Sequence, residues 1–171
     1  DGSITTTFAK KNILHFQVPF NFERLPSANK LKLSRYKYIV TNSHFTKTYI
    51  DRTFGVNSKV IYPPVDIKNI IPGEKEKIIL SVGRFGAGQL HPKKQEVLIE
   101  VFKEVSKKAK NWKLILIGQA KKEDAKYMRT LRKMAKGFAI KIIENSTYDD
   151  LMGYYSKASI YWHATGYGED E

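Results

Sequence analysis

The chain has 171 residues, 42% hydrophobic and 12% aromatic, enough apolar mass for a well-buried core and too much for a disordered polymer. Lys and Arg number 30 against 17 Asp and Glu, a net charge of +13, which favours an anionic partner: nucleic acid, an acidic membrane surface or a phosphorylated small molecule. The absence of cysteine excludes disulfides and thiolate metal sites and fits a cytoplasmic setting, and no apolar run approaches the roughly 18–20 residues of a membrane span.

Much of the excess charge is dispersed lysine, as in Glu74-Lys75-Glu76-Lys77 and Lys107-Lys108-Ala109-Lys110, the pattern of a solvated surface. The chain opens on Asp1 without an initiator Met, carries no signal-peptide pattern and stops at "GEDE", so we expect a piece of a longer protein.

In chain order, "ILHFQVPF" (13–20) and "YKYIVTN" (36–42) read as strands, the first running into a loop. Ser43 is placed to cap a helix that Gly55 ends. "KVIYPPVD" (59–66) reads as a short strand halted by Pro63-Pro64, and "IKNIIPGEKEK" as a connector, with a boundary near 66–75. From residue 77 the alternation is plain. "KIILSVG" (77–83) and "WKLILIG" (112–118) are apolar enough for strands buried on both faces. Between them, residues 92–110 predict a helix with Pro92 in its first turn and Val97, Leu98, Val101, Phe102, Val105 and Ala109 on its inner stripe. A basic helix over 121–136 closed by Gly137, a strand "FAIKIIE" (138–144), a helix capped by Thr147 and a strand "SIYWHA" (159–164) follow. Alternation of this kind predicts right-handed crossovers and an α/β, doubly wound parallel sheet.

In such sheets ligands sit outside the carboxyl ends of the strands. There the sequence reads "SVGRFGAGQLHPKKQ" (81–95). A glycine-rich loop leading into a helix favours a phosphate. Gly83 to Gly88 has the outer spacing of a P-loop, but Gln89-Leu90 stands where Lys-Ser/Thr is required. Gly83, Gly86 and Gly88 give the dinucleotide fingerprint in reverse. Both readings fail. What remains is a loop with a cation at each end, Arg84 and then Lys93 or Lys94, a fork and a point charge suited to a diphosphate. As ordinary surface cations they would oppose the helix dipole.

These residues resemble glycosyltransferase family 4, the glycosyl transferases group 1 with the two-domain GT-B fold. "SVGRF…HPKKQEVLIEVFKEV" is similar to its donor-binding signature. "TNSHFTKTYIDRTFG", "VIYPPVD", "WKLILIG" and "YDDLMGYYSKASIYWHATGYGEDE" agree in order, from about Tyr36 onward. The resemblance implies that 1–66 is the tail of an N-terminal acceptor domain and 67–171 a partial C-terminal nucleotide-sugar-binding domain, a truncated Rossmann-like half. It implies that Arg84 and Lys93 hold the diphosphate of a nucleotide sugar such as a UDP- or GDP-sugar. Lys94 stands where many members carry Gly or Arg. It further implies a retaining hexosyltransferase serving polysaccharide or glycoconjugate synthesis, with a sugar or lipid-linked acceptor, no cofactor and no metal. The family's paired glutamates would lie beyond Glu171, and this length alone is expected to be inactive.

His163, near the end of the last strand, is expected to border the cleft as a sugar contact or a structural residue. Tyr167 in "GYGED" is the aromatic best placed for a contact. No two of His15, His44, His91 and His163 have metal-ligand spacing, and Asp149-Asp150 suit a helix start better than a metal. Asn145-Ser146-Thr147 matches a glycosylation sequon but reads as a turn and helix cap. The rival function is a non-catalytic basic α/β module binding nucleic acid. It calls for clustered lysines interleaved with exposed aromatics, and neither is seen, so no nucleic-acid partner is expected. Cytoplasmic location, with peripheral contact at an anionic membrane through the positive surface, is the expected setting.

Overall fold

The computed structural model describes residues 4–19, 27–65, 67–68, 70–86 and 92–168, and the chain divides into two compact units, Asp1–Val65 and Asp66–Glu171.

The first unit contains β1 (Ile13–Phe16), α1 (Ser27–Leu33), β2 (Tyr38–Thr41), α2 (His44–Phe54) and β3 (Lys59–Val60), with the three strands parallel in the order β1-β2-β3. Helix α2 is framed at both ends. The Ser43 hydroxyl accepts from the Thr46 N–H at 3.1 Å, and Gly55, at φ 65°, donates its N–H to the Asp51 carbonyl at 2.8 Å. Ile50 and Phe54 are buried with Phe16 and Leu33 in one apolar cluster. Lys47 ties the exit of α2 down, reaching the Asp51 carboxylate, the Ser58 carbonyl and the Asn57 side chain. Strand β3 ends before Pro63-Pro64 is reached. Phe20, the end of the first expected strand, lies outside the described residues.

The second unit contains β4 (Glu76–Val82), α3 (Gln95–Lys108), β5 (Lys113–Gly118), α4 (Ala125–Ala135), β6 (Ile140–Glu144), α5 (Tyr148–Lys157) and β7 (Ala158–Tyr161). Its strands are all parallel, in the order β6-β5-β4-β7. The chain steps outward from β4 to β6, then returns through α5 to the other side of β4. The uninterrupted apolar runs are split by the pleat. Ile79, Leu114 and Leu116 join Leu98, Ile99 and Phe102 of α3 and Met128 and Leu131 of α4. Ile78, Leu80, Ile115 and Ile117 join Leu151, Tyr154 and Tyr155 of α5. Burial of each such side chain contributes about 1.5–3 kcal/mol, and both faces of the sheet are used.

Several bounds differ from the sequence reading, the last strand ending at Tyr161 and not 164 and α4 starting at Ala125 and not 121, and two differences at α3 bear on the site. Helix α3 begins at Gln95, because Lys94 takes a left-handed φ of 49° and interrupts the helical path, leaving Pro92 in the approach. Its buried stripe is Gln95, Leu98, Ile99 and Phe102, whereas Val101 is 46% exposed. The stripe is set by which side meets the sheet, and that side includes a polar residue that apolar periodicity does not count.

Candidate functional site

The carboxyl ends of β4, β5 and β6 form the site. Beyond β4, the Gly83 N–H donates to the Ile117 carbonyl and the Phe85 N–H to the Gln119 carbonyl, both at 2.9 Å. Phe85 is fully buried while Arg84 is exposed; the strand's alternation sends the phenyl ring inward and the guanidinium outward. Gly118 is required by close approach, since a Cβ there would lie 1.9 Å from the Gly83 carbonyl oxygen. After β6, Asn145 adopts φ 54°, donates its N–H to the Gly118 carbonyl at 2.9 Å and accepts the Ala120 N–H on Oδ1 at 3.3 Å.

These three strand ends enclose a cleft of about 500 Å³. Val82, Ile117 and Leu151 give it apolar surface, and Gly83, Arg84, Gly118, Gln119, Asn145 and Ser146 line the rest. A bare backbone, one guanidinium and small polar side chains beside apolar surface suit a flat ring carrying an anionic tail. Arg84 pairs with no carboxylate among the described residues.

The other expected site residues are placed as follows. Lys93 lies over Gly83, whose added Cβ would be 2.9 Å from Lys93 Cγ, although Lys93 itself is not among the residues lining the cleft. The Lys94 ammonium donates to the Tyr167 carbonyl at 2.5 Å, joining the start of α3 to the loop after β7. Tyr167 is 69% exposed. His163 is exposed, between half-buried Trp162 and buried Ala164, and neither it nor Tyr167 lines the cleft. Gly88, Gln89-Leu90, His91 and the terminal Glu-Asp-Glu lie outside the described residues.

The structure adds residues that the sequence reading assigned no functional role. Asn145 and Ser146 line the cleft beside forming the turn before α5; their position straight after an apolar strand was the available signal. Gln95, 2% exposed, donates from Nε2 to the Arg84 carbonyl at 2.9 Å and the Gly83 carbonyl at 3.3 Å. A second groove, of about 440 Å³, runs between α5 and the amino-terminal halves of β4–β6. Lys157 pairs there with Glu76 at 3.6 Å and Lys141 donates to the Tyr154 hydroxyl at 3.1 Å, and the groove lies away from the strand ends where parallel sheets bind ligands. Among the described residues, no group of three His, Cys, Asp or Glu is disposed to hold a metal, and no helix is long and apolar enough to cross a membrane.

Comparison with known proteins places these features. The chain is 34% identical, over 119 residues, to the alpha-1,3/1,6-mannosyltransferase ALG2 of Yarrowia lipolytica, an alignment covering 60% of this chain and 23% of that protein. Its structure is similar to the crystal structure of Anabaena HepE in complex with UDP and glucose, with a TM-score of 0.65 and 15% identity over 91% of this chain and 46% of the other. That likeness is one of fold, the Rossmann-like parallel α/β architecture. The chain thus spans about a quarter of the mannosyltransferase and under half of HepE. The model of the family described as "Glycosyl transferases group 1" matches residues 65–170, the segment holding all four strands of the second sheet and the cleft at their carboxyl ends; the chain belongs to that family.

Proposed function

We propose that the second unit binds the diphosphate of a nucleotide-sugar donor for a retaining glycosyltransferase, whose parent enzyme transfers a hexose to a sugar or lipid-linked acceptor. The observation that carries this reading is Arg84 lining a cleft at the carboxyl ends of parallel strands, with Lys93 folded over the adjacent bare backbone of Gly83. As the bond from the anomeric carbon to the diphosphate oxygen breaks, negative charge grows on the leaving group. A guanidinium fork and an ammonium stabilise that charge, the electrostatic part that divalent metals play elsewhere. No protein base is assigned, because the departing phosphate can itself accept the acceptor's proton. The tie from Lys94 to the Tyr167 carbonyl joins the loop after β7 to the start of α3, and the His163 and Tyr167 side chains, outside the cleft lining, are assigned to the sugar. HepE's complex with UDP and glucose and the mannosyltransferase relative support a nucleotide-diphosphate sugar as the donor class.

Each charge-assisted phosphate contact contributes roughly 1.5–3 kcal/mol before ordering costs, so millimolar affinity for UDP or GDP is expected. Calorimetry with and without EDTA should give the same affinity, and Arg84→Ala should weaken it about tenfold or more. Equal binding by wild type and Arg84→Ala would sink the assignment. In the same samples, nucleotide sugars mixed with acceptor sugars should yield no glycoside from this length of chain alone, since near-attack geometry needs both partners held; turnover above buffer would contradict that part.

A further inference from the structure

We propose that Gln95 is a positioning residue for the donor site: its side-chain amide holds the carbonyls of Gly83 and Arg84, fixing the backbone from which Arg84 reaches the cleft. The inference rests on the assignment of Arg84 to the donor diphosphate. Gln95 is the first residue of α3, delivered inward by the left-handed turn at Lys94. A helix-start residue facing the core is normally apolar, as Leu98, Ile99 and Phe102 are further along the same stripe. A buried amide is tolerated only where its donors and acceptor are met.

Here they are met on both sides. Nε2 donates at 2.9 Å to the Arg84 carbonyl and at 3.3 Å to the Gly83 carbonyl, and Oε1 accepts the Tyr127 hydroxyl at 2.9 Å. Only the NH₂ end can face two carbonyls, which settles the amide's orientation. Tyr127, on α4, has a single hydroxyl proton, shared between Gln95 Oε1 and the Glu96 carboxylate. Its burial, followed by that carboxylate, raises its pKa and keeps it a hydroxyl donor. The result is a chain of contacts from α4 through α3 to the loop.

The arrangement has an electrostatic consequence as well as a steric one. Two carbonyl oxygens next to a diphosphate site are partial negative charges that repel the ligand. Engaging both with one amide offsets that repulsion and holds the segment between Gly83 and Phe85 to one path.

The test measures UDP affinity of the full chain by calorimetry from pH 5 to 8, each variant divided by wild type at the same pH, with folding followed by circular dichroism. Gln95→Met, which keeps the shape and removes the amide, should bind UDP about tenfold more weakly (about 1.4 kcal/mol) at every pH. Gln95→Glu should be weaker still at pH 8, where a carboxylate faces two carbonyls, and should recover as pH falls and the protonated carboxyl donates one bond. A residue that merely fills space predicts no such pH-dependent recovery. Tyr127→Phe, a milder change should either Gln95 variant fail to fold, should cost about two- to threefold. Affinities within twofold of wild type for Gln95→Met, or a pH-independent ratio for Gln95→Glu, would overturn the proposal while Arg84→Ala still weakens binding. If Tyr127→Phe is the variant available, wild-type affinity overturns it. Unchanged binding by Arg84→Ala would instead remove the diphosphate assignment and this inference with it.

Discussion

Helices α3 and α5 both start from the carboxyl edge of the same sheet, yet their first turns have opposite chemistry. Helix α5 is complete in itself. The Thr147 hydroxyl accepts the Asp150 N–H at 3.2 Å and donates to the Asp150 carboxylate at 2.8 Å, and Asp149 adds a second negative charge to the positive end of the dipole. No side chain caps α3. Its N-cap position is Lys94 in a left-handed conformation, preceded by Lys93, and its one acidic residue in the first turn, Glu96, contacts Tyr127. Cations at a helix start lower intrinsic helix stability. Their presence at α3 and absence at α5 is the contrast expected if the proposed diphosphate, and not folding alone, shapes the start of α3.

The largest expected effect concerns the strand end on which both approaches rest. Gly118→Ala places a methyl group 1.9 Å from the Gly83 carbonyl oxygen, a backbone contact that no rotamer change relieves. We expect a loss of roughly 3 kcal/mol or more in urea unfolding. Near-wild-type stability would break the picture of a loop seated on β5. A smaller effect sharpens the contrast between the helices: Thr147→Ala should cost about 1 kcal/mol of stability and leave UDP affinity unchanged. A change in affinity would mean that α5's start also serves the ligand. Smallest of all is the difference between Lys94→Gly and Lys94→Ala. Both lose the bond to the Tyr167 carbonyl, so their difference isolates the left-handed backbone, and glycine should be the more stable by roughly 0.5–1 kcal/mol. Equal melting temperatures would deny that φ 49° is strained.

Much of this contrast could be read before any coordinates. Thr147 followed by Asp149-Asp150 is a capping pattern, and Lys93-Lys94 before an apolar helix is its inverse. The strands "KIILSVG" and "WKLILIG" announce a two-sided sheet because their interiors, between Lys and Gly, are apolar apart from Ser81, with no polar residue at every second position. Arg84 was legible from its place directly after such a strand. The inner stripe of α3 was read less well: Val101 passed as core and is 46% exposed, while Gln95 was overlooked and is 2% exposed.

The sequence by itself determined the local structure and the family resemblance, because capping, strand alternation and helical periodicity act between residues a few positions apart. It placed a guanidinium and two ammonium groups around one loop for the same reason. Only the tertiary structure decided that Asn145 and Ser146 share a cleft with Arg84, that Gly118 must lack a side chain, and that Gln95 spends its amide on two loop carbonyls. Those facts depend on the order β6-β5-β4-β7 and on the register that sets Gly118 beside Gly83. A local pattern states that a strand exists and which faces it buries; it does not state which strand end becomes its neighbour. Contacts across neighbouring ends are where this site is built.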